Sequence, residues 1–201
     1  MRRRRGDLAM TSGASSQPEP EPQPRPQPHS QQAATPGPIP RPPPAFELRR
    51  ITDADLPTLF AFHSDPEAAR MAAFPARERD AFMAHWHDRI LGDDRIVKQG
   101  IVVDDELAGY LICFEQSDLR LIGYWLGRAH WGRGIATAAL RRFVGEIRTR
   151  PLNAYVSKQN AGSIRVLEKC GFVRTGEHEL PALSGDGVVL EHIYTLHEIG
   201  A

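Results

Sequence analysis

The chain has 201 residues, enough for one ordinary domain and some extra length. Its 25 basic and 25 acidic residues cancel, so no net field would gather nucleic acid or an anionic membrane around it. No apolar run reaches the roughly 18 residues of a spanning helix, and the two cysteines, Cys113 and Cys170, lack metal-ligand spacing. A reduced, cytoplasmic protein with no metal site is expected, without nucleic-acid or membrane partners.

Residues 1 to 44 carry 12 of the 17 prolines and almost no large apolar side chain. Such a segment cannot bury enough surface to offset its chain entropy and is expected to be a disordered tail. The basic start, Arg2 to Arg5, is followed by no apolar stretch of secretion-signal length. A single domain is expected over residues 45 to 201. It opens with Phe46 to Ile51, which alternate apolar and polar as a half-buried strand does. Thr52 and Asp55 are spaced as a capping box, and Asp65-Pro66 is a second helix start. Arg77 to Leu91 reads as a third helix, with Phe82, Trp86 and Ile90 on one stripe. Strands are expected over Ile96 to Val103 and Leu107 to Phe114, turned by Asp104-Asp105-Glu106, and then over Leu119 to Leu126. A long helix follows, with Ala136, Ala139, Leu140, Phe143, Val144 and Ile147 on one face. Leu152 to Val156 is a strand and Ala161 to Lys169 a helix. Phe172 to His178 and Val188 to Leu196 close the chain as two strands joined around Gly185-Asp186-Gly187.

Between the strand ending at Leu126 and the long helix lies Trp131-Gly132-Arg133-Gly134-Ile135-Ala136. Glycines here allow close approach of the backbone, and the free amides of a first helical turn favour an anion such as a pyrophosphate. A mere packing turn would leave the same trace. A Rossmann fingerprint does not fit, because the turn follows three antiparallel-looking strands, and no Lys-Ser or Lys-Thr pair completes a Walker loop.

Three segments, Ile122 to Leu126, Trp131 to Ala136 and Asn160 to Phe172, resemble the GNAT N-acetyltransferases in the order that family uses. The likeness is to the branch that includes bacterial ribosomal-protein N-terminal acetyltransferases. It implies an α/β (α+β) fold: a mixed, mostly antiparallel sheet of six to seven strands, helices on both faces, and splayed fourth and fifth strands. It also implies acetyl-CoA as co-substrate, bound by Trp125, Leu126, Trp131, Gly132, Arg133, Gly134, Ile135, Ala136, Asn160 and Ser163. The family signature carries Gln or Arg where this chain has Trp131.

The resemblance further implies direct attack of an amine on the acetyl thioester while both substrates are bound. The family's usual tyrosine acid is replaced by Leu167, which leaves Ser163 as the expected acid, and the usual glutamate base by Leu121. Glu115, with Asp118, His130 and His63 as alternatives, is the expected base. An α-amine, with pKa about 7.7 to 8.0, needs less help from a base than a lysine amine at about 10.4. The expected acceptor is therefore a protein or peptide N-terminus, in a monomer or homodimer. Two other readings stay open: acetylation of a small amine such as an antibiotic, polyamine or amino-acid derivative, and a non-catalytic acyl-CoA-binding module.

Overall fold

Strands alternate in apolar and polar residues, and among the residues described by the computed structural model, 42–181 and 187–197, seven of them join in one sheet. They are β1 (Glu47–Arg49), β2 (Val97–Val103), β3 (Glu106–Gln116), β4 (Leu119–Leu126), β5 (Leu152–Ser157), β6 (Val173–Pro181) and β7 (Val188–Leu196). Their order is β1-β2-β3-β4-β5-β7-β6, and every pairing is antiparallel except that of β4 with β5. The expected tail falls almost wholly outside the described residues, as do Gly185 and Asp186 of the last turn.

Two hairpins differ from their expected outlines for one reason. Asp104 and Asp105 both have positive φ, 52° and 64°, and so do Ser117 and Asp118, 49° and 62°. Paired left-handed residues make tight two-residue turns that match strand twist. Glu106 is therefore released from the expected three-residue turn to pair with Val103, and β3 runs past Phe114 to Gln116.

Among the described residues five α-helices flank the sheet: α1 (Leu56–His63), α2 (Pro66–Ala72), α3 (Arg79–Ala84), α4 (Ile135–Glu146) and α5 (Ala161–Lys169). The helix expected over 77–91 is α3 continued by a π-helical stretch, His85–Leu91. That widening keeps Trp86 and Ile90 buried beside Phe82. The start signals act locally as their chemistry dictates. Asp55 accepts from the Thr52 amide at 2.8 Å, and Asp65 accepts from the amides of Glu67 and Ala68 at 2.9 and 3.0 Å.

One core lies between the sheet and the stripe of α4 with α5. It contains Ile101, Leu111, Ile122, Leu140, Phe143, Ala154, Val156, Leu167, Tyr194 and Leu196. The other face carries Ile51, Leu56, Leu59, Phe82, Trp86 and Tyr110 from the α1 and α3 side. Each fully buried large side chain contributes about 1.5 to 3 kcal/mol of transfer free energy, so the two cores anchor opposite faces of the sheet. No helix among the described residues is long and apolar enough to cross a membrane.

Candidate active site

The site begins where β4 and β5 part. These parallel strands pair at Leu121↔Asn153, and no further register holds toward their C-terminal ends. Gly127 donates its amide to the Ala108 carbonyl of β3 at 2.8 Å. Strand alternation then turns the amides of Tyr124 and Leu126 the other way, toward β5, into the opening. Two backbone donors thus face a wedge instead of a neighbouring strand.

Past Leu126 the chain makes a short 3-10 turn, Arg128–His130, and enters the glycine turn. Gly132 and Gly134 take φ of 72° and 77°, a region costly for residues with a Cβ. Gly134 is the N-cap of the 12-residue helix α4, and no side chain caps it. The first-turn amides of α4 are left for an external acceptor, and the helix dipole adds positive potential there. Residues 131 to 134 are exposed, so the turn is open to a ligand. Arg133 stands beside it, with the His130 ring 3.5 Å away and Asp104 at a loose 4.0 Å. Trp131 has a clear structural part: its indole Nε1 donates to the Leu126 carbonyl at 2.8 Å, tying the turn to the end of β4. At Gly134 an added Cβ would lie 3.6 Å from the Pro43 side chain, so residues just before β1 border the turn.

The second wall of the wedge is α5. Asn160 caps it, its Oδ1 accepting from the Ser163 amide at 3.0 Å. Ser163 is thereby the capped residue and not the cap, and its hydroxyl is free for other work. That hydroxyl lies 2.6 Å from the Tyr124 phenol, which also donates to the Ser163 carbonyl at 3.2 Å. Burial pushes the Tyr124 phenol above its ordinary pKa, the Ser163 hydrogen bond opposing, so the group keeps its proton at any physiological pH. Tyr124 was visible within Gly123-Tyr124-Trp125, but only as strand pattern. Nothing in the spacing links it to a helix 39 residues on.

Glu115 is not brought to this site. It pairs with Arg120 at the opposite end of β3, and from Gly109, opposite Leu126, to Glu115 the strand runs about 20 Å. Asp118 lies in the turn at that same end. The expectation that Glu115 serves as base fails because β3 and β4 run antiparallel, which sets the end of β3 beside the start of β4 and leaves Leu126 at the far end of the hairpin. His130 stays near the turn, its pKa lowered by burial and by Arg133. His63, at the end of α1, is buried against the other face of β4. It stacks on Trp125 at 4.0 Å and its Nε2 is 2.9 Å from the Tyr110 hydroxyl. Burial, with Arg77 and His85 adding repulsion, pushes its pKa down to about 4, so this ring is neutral.

The α1 and α2 side of the wedge has its own anchoring contacts. The Trp125 indole donates to the Phe62 carbonyl at 3.2 Å, and Arg128 meets Asp65 at 3.1 Å. A shallow cavity lined by Ala61, Phe62, Asp65, Arg128 and Ala129 opens there, with a volume of about 460 Å³. Neither cysteine is a nucleophile: the Cys170 thiol is pushed up to about 11 by burial and lies 3.4 Å from the Thr137 carbonyl, and burial raises Cys113 too. Among the described residues no cluster of three or more His, Cys, Asp or Glu could hold a metal ion.

Comparison with known proteins bears on what this wedge is. The family model described as "Acetyltransferase (GNAT) domain" matches residues 46–173. Probable N-acetyltransferase YjcK of Bacillus subtilis is 40% identical over 81 residues, which cover 36% of this chain and 45% of that protein. The chain thus spans under half of that relative's length. A GNAT-family acetyltransferase from Bacillus anthracis superposes with a TM-score of 0.66 at 16% identity, covering 77% of this chain and 96% of that one. The spermidine N-acetyltransferase from Vibrio cholerae, solved with CoA and spermine, superposes at 0.62 with 16% identity, covering 74% and 94%. Matched by that family model over most of its length, with the parted β4–β5 pair and the uncapped glycine turn in place, the chain belongs to the GNAT acetyltransferase family.

Proposed function

We propose that the domain transfers an acetyl group from acetyl-CoA to an amine, and that the amine is the N-terminus of a protein or peptide. The observation that carries the reading is the uncapped N-terminus of α4 behind two left-handed glycines, opening onto the wedge between β4 and β5. The donor fits this chain: free amides and Arg133 suit a diphosphate, and the narrow polar wedge suits an amide-bearing arm. Bound there, acetyl-CoA would supply an activated acyl carbon.

The chain's own groups then have separable parts. The amides of residues 134 to 137 hold the diphosphate, and Asn160 borders the arm. The Leu126 amide, directed into the wedge, is positioned to donate to an oxygen that gains charge as the amine attacks. In the transfer an N–C bond forms and the C–S bond breaks. The amine loses one proton and the departing sulfur gains one. Ser163, backed by the Tyr124 phenol at 2.6 Å, passes its proton to the sulfur and is reprotonated from water, which takes up the proton that the amine releases. No strong base is needed if the amine arrives neutral, which an α-amine does near pH 8 and a lysine amine does not. The neutral His63 under Trp125 is consistent with a face that admits uncharged amine. The protein is expected to work in the cytoplasm, and residues 1 to 44 to be dispensable for turnover although the Pro43 side chain borders the turn.

Thiol release from acetyl-CoA, followed with short peptides, small amines and aminoglycosides as acceptors, tests the reading. Turnover fastest on peptides with a free N-terminus is the expected result. Turnover confined to small amines would overturn the acceptor, and tight CoA binding with no turnover at all would overturn the enzyme.

A further inference from the structure

Beyond the wedge, one row of side chains in the sheet has no assigned use. Across β5, β7 and β6 the register places Ser157 beside Glu191 and Glu191 beside His178. Side chains directly opposite share a face, and this face is the one opposite Val156 and Tyr194, which pack on α4 and α5. It therefore looks toward α1 and α2. Tyr155, two residues before Ser157, joins the same face, with its ring 5.4 Å from that of His178.

A neighbouring row shows what a purely structural polar row looks like here. Asn153, Thr195 and Thr175 lie on the same face, and Thr195 donates to Asn153 at 3.0 Å while its hydroxyl is 2.8 Å from that of Thr175. The Glu191 row is different. The Glu191 carboxylate is half-buried, and among the described residues it has neither a hydrogen-bond nor an ion-pair partner. His178 Nδ1 is buried and lacks a partner as well. The cations near the strand ends, Lys158 and Arg174, are both taken by Glu177, whose strand position faces the other way. Burial raises the Glu191 carboxyl above the usual range, with His178 opposing, as befits an anion missing its counter-ion.

The row is also level with the reaction. Counting four residues from the Leu121↔Asn153 pair brings Trp125 on β4 level with Ser157 on β5. Glu191 is one paired strand beyond Ser157. It therefore stands farther from the end of β4 than two strand spacings, because the seam has parted there, and on the order of 10 Å from a group held within the wedge. We propose that Glu191, flanked by Ser157, His178 and Tyr155, binds a second cationic group of the acceptor about 10 Å from the amine that is acetylated. This rests on the acetyltransferase reading for the reacting amine, but the cation subsite itself is independent of it. Two sources share that chemistry, a basic side chain near a peptide N-terminus and the far amine of a diamine.

The test uses the full chain saturated with CoA. Binding of heptylamine, 1,7-diaminoheptane, and two tetrapeptides carrying Lys or Leu at the third position is measured calorimetrically, and turnover of each is then followed with acetyl-CoA. Diamine and Lys peptide should bind about tenfold more tightly than their uncharged counterparts, and Glu191→Gln should erase that difference without changing CoA affinity or the melting temperature. Glu191→Asp, which keeps the charge, should retain part of it. A preference for only one dication identifies the source. Equal binding of mono- and dications by the unaltered protein, or an unchanged preference in Glu191→Gln, overturns the subsite. Dication binding without turnover would leave the subsite standing and sink the acetyltransferase reading instead.

Discussion

Substituting Gly134 separates the two reasons this position is glycine. At φ 77° an alanine pays the left-handed penalty of about 1 to 2 kcal/mol, while its Cβ meets only the Pro43 side chain at an ordinary 3.6 Å. Gly134→Ala should lower the melting temperature by several degrees yet leave the amides of α4 in place, so CoA affinity should change less than about threefold. Gly134→Asp keeps similar backbone strain but adds a carboxylate about 5 Å from the bound diphosphate. At an effective dielectric between roughly 20 and 80, each unit of charge there repels by about 1 to 3 kcal/mol, or about 5- to 150-fold in affinity. Calorimetric titration of CoA into the three proteins measures the difference, which should shrink in high salt because the turn is exposed. If the Asp variant binds CoA within twofold of the Ala variant at low salt, no phosphate sits at the turn and the donor-site assignment is wrong.

Three further outcomes follow from particular contacts. His63 has its folded pKa depressed from 6.5 to about 4, so its contribution is present above pH 6.5 and is lost as pH falls toward 4. That loss is about 3 kcal/mol, and thermal melts from pH 7 to 4 should show a shallower acid decline in His63→Gln. Tyr124→Phe should reduce kcat about tenfold, and Ser163→Ala by as much or more, with little change in KM for acetyl-CoA. An unchanged kcat in both would remove the hydroxyl pair from the proton path. Gly145 lies within α4, and an added Cβ there meets nothing within 4 Å, so Gly145→Ala should stabilise the fold by up to about 1 kcal/mol, read as a rise in melting temperature.

The glycine turn proposed to hold the donor could be read from the sequence as a turn and helix start because it is local. Gly132, Gly134 and the α4 stripe are consecutive, and their meaning is carried by turn and helix chemistry alone. Asn160 and Ser163 were likewise legible as a helix start, though which of them caps was settled only by the 3.0 Å bond from the Ser163 amide. The rest depends on register. That Glu115 lies about 20 Å from Leu126 follows from the antiparallel pairing of β3 with β4, which sets Leu126 opposite Gly109 and Glu115 opposite Arg120. The Tyr124–Ser163 pair, and the row from Ser157 to His178, arise between strands and helices distant in the chain. No periodicity within one segment records them.

The seam itself explains why these pieces meet. β1 to β4 are tied by antiparallel ladders, eight register pairs joining β3 to β4, and β5, β7 and β6 form a second antiparallel block, with six pairs joining β5 to β7. Each block has its own antiparallel ladders, so the two share little more than Leu121↔Asn153, and the buried residues of α4 and α5 hold them together on one face. Free backbone donors in a sheet normally cost stability or invite another strand. Here they line a wedge whose closed end is fixed by Asn153 and whose open end is fixed by Trp131 on Leu126. The seam also divides the chemistry: the anion turn and the hydroxyl pair lie on the α4 and α5 side, while His63, the shallow cavity and Glu191 lie toward α1 and α2. On the proposed reading, an acyl donor entering from the first side and an amine from the second meet only where the strands part.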